Sequence, residues 1–202
     1  MAASGFDSLP ENSLIVVEEE TGAIKSVYAQ SMASRAAAAG TPVTYLTMQT
    51  HDEVVQQMAR LRLPVSDAIQ IREIHDTEPE NALDLILSVN PPGLVVFDSF
   101  STCFLEYPTE KFRPAVSRLA TAARKGVTIL LLNDTGVLPE RHEQLLRAMA
   151  DGVVRITVVM EGDKIKRYLN ILKMKGTLPP DKMLLFTITE EGFLIDTRER
   201  HG

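Results

Sequence analysis

A lysine and a serine follow the first apolar run of this sequence, at the spacing of a phosphate-binding loop. Residues 14–17 are a short apolar segment, and Lys25 and Ser26 stand where a helix with an apolar face would begin. In the pattern G-x-x-x-x-G-K-[ST], backbone N–H groups cradle phosphates, the lysine reaches the outer phosphates and the hydroxyl coordinates Mg²⁺. Residues 14–26 are therefore the candidate nucleotide site of the chain.

The same segment lacks both glycines of the pattern. Glu19 and Ile24 stand at the two glycine positions, and Gly22 lies between them. Such loops need a close approach to the ligand and backbone angles that favour glycine, and a positive φ would strain β-branched Ile24. At an effective dielectric constant of about 20, a carboxylate about 6 Å from a phosphate charge costs about 3 kcal/mol, on the order of a hundredfold in affinity. The segment indicates descent from a phosphate loop and predicts weak or absent phosphate binding.

Lys25 also has an interpretation that involves no ligand. It could begin an ordinary helix and pair with one of the three glutamates of residues 18–20. The spacing of the loop favours the first interpretation over this one.

Composition predicts an acidic, soluble, cytoplasmic protein that does not coat nucleic acids. The chain has 202 residues, of which 45% are hydrophobic, and a net charge of −6, whereas nucleic-acid-binding surfaces are usually strongly basic. The single Cys103 cannot form an internal disulfide, which fits a reducing compartment. Apolar runs such as 127–132 are too short to span a membrane, and the first residues show no secretory signal. We expect one domain, residues 1–202.

Apolar runs alternate with amphipathic segments, which is typical of βαβ units and a parallel sheet. S/T-x-x-E capping patterns begin at Thr50 and Thr77, and Pro139 suits a helix start. The predicted strands of this part are 14–17, 43–48, 69–74, 94–97, 127–132 and 153–159, and the predicted helices are 25–39, 52–61, 80–87, 110–124 and 139–150.

The last fifty or so residues have a different pattern, without helices. Residues 153–159 and 166–174 read as a hairpin around a turn at 161–163, and short strands follow at 183–188 and 193–195. These segments predict an antiparallel, β-rich C-terminal extension of an α/β core.

With these elements in order, the chain resembles the RecA-superfamily ATPases of the KaiC type over nearly its whole length. The resemblance implies a RecA-like P-loop three-layer α/β fold, nucleotide bound at subunit boundaries and, often, ring-shaped oligomers. Besides the loop, the fragments that carry it are GFDSL at 5–9, YLTM at 45–48, LVVFDS at 94–99, ADGVVR at 150–155, ILKMKG at 171–176 and ITEEG at 188–192.

The resemblance assigns a metal-binding role to Asp98, at the end of a buried strand. Asp98 would hold the Mg²⁺ of Mg-ATP through water, with Ser26 as the hydroxyl ligand. The alternative is an aspartate that caps a turn and needs no ligand. For a site without nucleotide, we expect Lys25 and Asp98 to pair with each other.

Two lysines of the ILKMKG fragment, Lys173 and Lys175, match a basic pair that reaches the phosphates of a neighbouring subunit in this family. The alternative is two solvent-exposed lysines on a strand. If the neighbouring site holds no phosphate, they could instead meet the glutamates 18–20 across a subunit boundary.

Active KaiC-like domains carry two adjacent glutamates that help to activate the attacking water, and this chain has Gln49 and Thr50 in their place. Neither titrates near neutral pH, so neither is a general base. Gln49 could orient a water, and Thr50 is better explained as the N-cap of the next helix. Asn133 and Asp134 follow a strand, where related ATPases place a residue that senses the γ-phosphate.

We therefore predict a non-catalytic RecA/KaiC-like domain with a regulatory or scaffolding role, which associates with itself or with related active ATPases. One alternative is a signalling switch that binds Mg-ATP weakly through Gly22, Lys25, Ser26 and Asp98. Another is a true ATPase that uses Gln49.

Overall fold

Strands and helices alternate along the chain in a computed structural model that describes residues 9–20, 22–178, 180–190 and 192–196. None of the helices in these ranges is long and apolar enough to cross a membrane. The strands are β1 (Leu14–Glu19), β2 (Val43–Thr47), β3 (Ile69–Glu73), β4 (Gly93–Asp98), β5 (Val127–Asp134), β6 (Gly152–Glu161), β7 (Lys164–Met174), β8 (Leu184–Thr189) and β9 (Gly192–Ile195). The helices are α1 (Ile24–Ala38), α2 (His51–Arg60), α3 (Pro79–Leu87), α4 (Phe100–Cys103), α5 (Thr109–Arg124) and α6 (Glu140–Met149).

The strands in the described ranges form one sheet in the order β3-β2-β4-β5-β1-β6-β7-β8-β9. Neighbours from β3 to β6 run parallel, and β6 to β9 pair antiparallel. The predicted fold class, a mainly parallel α/β sheet with an antiparallel C-terminal extension, is confirmed.

Helices cover both faces of the parallel part, because the strands there are apolar on both sides. On one face α1 and α2 pack on the sheet through residues such as Met32 and Met58, and Phe193 of β9 joins the same cluster. On the other face α3, α4, α5 and α6 form a second cluster around Phe97 and Phe112. The sheet is therefore the middle of three layers. Functional side chains can lie at the ends of its strands, which the two layers of helices leave open.

The predicted elements are all present, with two local differences. The four-residue helix α4 was not predicted, because such a short segment has no periodicity to read. The capping box predicted at Thr77 was wrong: Pro79 takes the first position of α3, so Glu78 is the N-cap and makes no side-chain cap bond. Residues 5–8 of the GFDSL fragment lie outside the described residues.

Candidate functional site

Three neighbouring parallel strands each end in an acidic residue, on the side of the sheet where the carboxyl ends of the strands lie. β1 ends at Glu19, β4 at Asp98 and β5 at Asp134, and the order β4-β5-β1 puts Asp134 between the other two. Helix α1 begins just after β1, so Lys25 and Ser26 lie in its first turn. Glu19, Lys25, Ser26 and Asp98 are all buried. The carboxyl ends of parallel strands are the usual location of ligand sites in such folds.

The ammonium group of Lys25 is bound within the chain. Its Nζ lies 2.6 Å from Oδ1 of Asp134 and donates to the carbonyl oxygen of Gly22 at 2.7 Å. The side chains of Lys25 and Asp134 are only 5% and 16% exposed. The predicted pairing of Lys25 with Asp98 was wrong, because β5 lies between β4 and β1 and brings Asp134 next to the loop.

Asp134 is also fixed from the side opposite Lys25. Its Oδ2 accepts hydrogen bonds from the hydroxyls of Ser99, at 2.9 Å, and Ser101, at 3.2 Å. Ser101 Oγ in turn accepts the backbone N–H of Asp134 at 3.0 Å. The carboxylate that neutralises Lys25 is therefore held in one orientation.

The carboxylate of Glu19 turns back to the start of α1. The backbone N–H of Lys25 donates to its Oε2 at 2.9 Å. Burial raises the pKa of Glu19, while hydrogen bonds from the backbone N–H groups of Lys25 and Ile24 oppose that rise. A Cβ at Gly22 would lie 2.5 Å from Glu19 Oε1, so Gly22 leaves the space that this carboxylate occupies.

Asp98 is bonded to β2 and lies near the first turn of α1. The hydroxyl of Tyr45 donates to its Oδ2 at 2.9 Å. Burial raises the pKa of Asp98, and the side chains of Ser26 and Tyr45 oppose the rise. The two predicted metal ligands, Ser26 and Asp98, are thus near each other.

Gln49 is part of a chain of three amides. Gln57 Nε2 donates to Gln49 Oε1 at 3.0 Å, and Gln30 Nε2 donates to Gln57 Oε1 at 2.9 Å. The amide oxygen of Gln49 is therefore already bonded inside the protein.

Thr50 caps α2. Its side chain accepts the N–H of Glu53 while the Glu53 carboxylate accepts the N–H of Thr50, which is a complete capping box. The interpretation of Thr50 as an N-cap is confirmed.

Lys173 and Lys175 lie away from the loop and bind carbonyl groups of their own chain. Lys173 Nζ donates to the carbonyl oxygens of Ala150 and Ala148, at the end of α6, at 2.5 and 3.2 Å. Lys175 Nζ donates to the carbonyl oxygen of Asn12 at 3.0 Å. Within this chain, the structure does not bring them together with Lys25.

A second charged cluster lies on the opposite face of β1, and no pattern in the sequence predicted it. Glu18 is completely buried; its Oε1 lies 2.5 Å from Nε of Arg147 and its Oε2 lies 2.9 Å from Nη2 of Arg155. Of the glutamates 18–20, only Glu20 is exposed. Glu18 and Glu19 have partners within the chain, and the contact of the glutamates 18–20 with Lys173 and Lys175 across a subunit boundary stays a prediction.

The two arginines border a cleft of about 550 Å³ that also contacts the loop through Glu19 and Glu20. In the described ranges, the side chains of His, Cys, Asp and Glu form no group of three or more that could hold a metal ion.

Comparison with known proteins gives a family and a fold. Residues 5–201 match the family described as "Family of unknown function (DUF7125)". No curated protein matches the chain. Among solved structures, the flagellar accessory protein FlaH from Methanocaldococcus jannaschii superposes with a TM-score of 0.78 at 21% identity, over 93% of this chain and 91% of that chain. The KaiC-like protein PH0186 from Pyrococcus horikoshii OT3 also superposes with a TM-score of 0.78, at 22% identity, over 95% of this chain and 94% of that chain. The chain therefore has the RecA/KaiC-like fold.

Proposed function

This chain belongs to the family DUF7125, whose function is unknown, and we propose that it is a non-catalytic relative of the RecA-type ATPases. In this proposal it acts as a regulator or scaffold, by associating with itself or with active ATPases of the same fold. The fold it shares with a KaiC-like protein supports descent from a nucleotide-binding domain.

The observation that carries the proposal is the ion pair of Lys25 with Asp134, at 2.6 Å. In a phosphate loop the lysine charge compensates the outer phosphates. Here that charge is compensated by a carboxylate that two serine hydroxyls fix in place. A triphosphate would have to separate a largely buried ion pair and then lie beside the released carboxylate of Asp134. As arranged, these residues do not fit Mg-ATP.

Gln49, which stands where active KaiC-like domains carry a glutamate, argues against hydrolysis as well. A general base must accept a proton near neutral pH, and the amide of Gln49 does not. Gln49 Oε1 is also occupied by Gln57 Nε2 at 3.0 Å. Orienting a water would require this hydrogen bond to break.

One observation favours the second candidate function, a switch that binds ATP without turnover. Gly22, Lys25, Ser26 and Asp98 still lie at the ends of neighbouring strands in the order of a nucleotide loop, and the last three are buried. Movement of Asp134 would free Lys25 from its ion pair, and movement of Glu19 would uncap the first turn of α1.

Ligand-dependent stability and phosphate release together test the proposal. We expect millimolar Mg-ATP to leave the thermal unfolding transition of the native chain unchanged, and we expect no phosphate release above that of a Lys25→Ala control. A ligand at about 100 times its dissociation constant stabilises a protein by about 2.7 kcal/mol. Stabilisation of that size, lost in Lys25→Ala, would replace the proposal by the switch. Phosphate release that Lys25→Ala abolishes would make the chain an ATPase.

Light scattering over a range of protein concentrations tests the proposed association separately. We expect the mass of the native chain to rise above that of a monomer, or a stable complex to form when a RecA-type ATPase partner is added. A chain that stays monomeric and binds no such partner would contradict the scaffolding role.

A further inference from the structure

We propose that two copies of this chain pair edge to edge through β6, with residues 157–161 of each copy running antiparallel about a two-fold axis. This stretch is called the β6 edge below. The inference deepens the proposed function and rests on it, since it names the surface by which the chain associates with itself. The product is a closed dimer in which one continuous sheet crosses both copies.

The β6 edge has an open side. β1 pairs with β6 only as far as Ile156, which lies opposite Glu19, whereas β6 continues to Glu161 and pairs with β7 on its other side. β7 pairs with β8 only at residues 167–169. In the described part of the chain, the end of the β6–β7 hairpin is therefore a ribbon of two strands that pair only with each other. Such a ribbon is marginally stable in water by itself and is stabilised by a further strand.

One face of this ribbon is apolar and exposed. Val158, Met160 and Ile165 are 46%, 76% and 55% exposed. Val158 and Met160 follow Ile156 at every second position, so they lie on the face of the sheet where Ile156 is buried in the cluster under α1. Ile165 pairs with Met160 across the hairpin. The apolar face of the sheet thus extends beyond its covered part, which is typical of an interaction surface.

The open edges of the sheet differ in their protection against pairing with another chain. Natural sheets protect their edges with charged side chains or by keeping the edge strand short. At one end of the sheet, β3 carries Arg72 and Glu73 among five residues, and at the other end β9 has only four residues. Residues 157–160 contain no charge and no proline, and they are mostly of types that favour strands. Among the described edges, the β6 edge is therefore the one suited to accept another strand.

A two-fold axis at Val159 gives a register in which the side chains of the two copies fit. It places Val158 of one copy opposite Met160 of the other, so the exposed apolar side chains cover each other. It also places Thr157 opposite Glu161, where the hydroxyl can donate to the carboxylate, and it keeps the two Glu161 side chains apart. A shift by one residue would turn the apolar side chains of the second copy to the opposite face.

The charge at the turn of the hairpin fits the cleft beside the β6 edge. In this register the strand of the second copy ends with Glu161 opposite Thr157, so the following turn, with exposed Asp163, comes next to Arg155. Arg155 borders the cleft, and its side chain remains 41% exposed although it pairs with Glu18. Contact of Asp163 with Arg155 of the other copy adds one pair of opposite charges at each end of the paired strands.

Sedimentation equilibrium of the native chain and of Val159→Glu tests the pairing. We expect the native chain to dimerise, and we expect Val159→Glu to raise the dissociation constant of the dimer by on the order of tenfold or more, because it puts two carboxylates opposite each other at the axis. Within each hairpin Lys166 lies opposite position 159, so the new carboxylate has a counter-charge and the fold is retained. Gln70→Glu is the matched control, since it adds the same charge at an exposed position of the edge strand β3.

A cross-link tests the two-fold axis itself. Val159→Cys in a Cys103→Ser chain should give a covalent dimer when oxidised with copper phenanthroline, because position 159 lies opposite its own copy. Gln70→Cys in the same background is the control and should stay monomeric in a denaturing gel. A ring or another head-to-tail assembly brings different residues together at each contact and does not give this dimer.

Three results would overturn this pairing. They are a native chain that is monomeric at every concentration measured, an unchanged dissociation constant in Val159→Glu, and no more covalent dimer with Val159→Cys than with Gln70→Cys. If Val159→Glu does not fold, the cross-link decides. A native chain that self-associates but fails both tests contradicts only the pairing through β6 and leaves the proposed function intact. A monomeric chain that binds an active RecA-type ATPase does the same.

Discussion

Asp134 neutralises Lys25 within the chain: Oδ1 and Nζ are 2.6 Å apart, and the two residues come from the end of β5 and the first turn of α1. The pair joins the two elements that border the loop from opposite sides. It therefore contributes to the stability of this edge of the sheet, and the size of that contribution can be measured.

Replacing Lys25 by methionine should lower the free energy of unfolding by about 2–4 kcal/mol, because it leaves Asp134 without its counter-charge in a mostly buried position. Urea denaturation measures this change. The control is Lys111→Met, whose partner Glu80 lies 3.1 Å away in a pair that is 57% and 46% exposed. An exposed pair of this kind contributes less than about 1 kcal/mol. Equal losses in the two variants would mean that the Lys25 pair has no special role.

Gly22 and Glu19 should be coupled in a double-mutant cycle. Gly22 does not have a positive φ, so alanine is tolerated by the backbone, but its Cβ would displace the Glu19 carboxylate. We expect Gly22→Ala alone to cost about 1 kcal/mol, the typical value of a lost helix cap. In the Glu19→Ala background the same change should be neutral or stabilising by about 0.4–1 kcal/mol, through the less flexible unfolded chain.

Chemical denaturation of the native chain, the two single variants and the double variant gives the coupling energy between Gly22 and Glu19 directly. If Gly22→Ala has the same effect in both backgrounds, the carboxylate does not occupy the space beside Gly22 in solution.

The stability of the α5–α6 contact should depend on pH through His142. Its ring stacks on Phe112 with centroids 4.1 Å apart, and its Nε2 lies 3.2 Å from Thr109 Oγ1. Burial lowers the pKa of His142 from 6.5, and the nearby charge of Arg141 adds to this. A lowered pKa means that the neutral ring is favoured in the folded state, so its contribution is complete above pH 6.5 and is lost as pH falls through the lowered value.

We therefore expect the native chain to lose stability relative to His142→Leu as the pH falls from 7.5 to 5, by about 1.4 kcal/mol for each unit by which the pKa is lowered. Thermal unfolding of both chains at a series of pH values measures the difference. His51→Leu, at an exposed histidine, controls for the loss of a histidine as such. A difference between native and His142→Leu that does not change with pH would contradict the prediction.

The fold could be predicted from the sequence because its signals are local. Apolar strands such as β1 and β4 and the capping box at Thr50 are encoded within a few neighbouring residues. The change to antiparallel strands after α6 also follows from the lack of a helix between β6 and β7. Boundaries and very short elements such as α4 were less predictable, since periodicity needs more than one turn.

The partners within the site were not predictable in the same way. Lys25 binds Asp134 rather than Asp98 because of the strand order, which depends on how the whole sheet assembles. Glu18 pairs with Arg147 and Arg155 for the same reason. The sequence did identify Glu19 as a departure from the loop pattern, but not that its carboxylate turns back to the start of α1.

The Glu19 carboxylate is covalently joined to the helix whose first turn it caps, through the few residues between Glu19 and Lys25. A group tethered by so short a link acts at an effective concentration of about millimolar or higher, and dilution of the protein or depletion of cellular metabolites does not lower it. The cap on the first turn of α1 is therefore present at any concentration of the protein, because the chain itself supplies it.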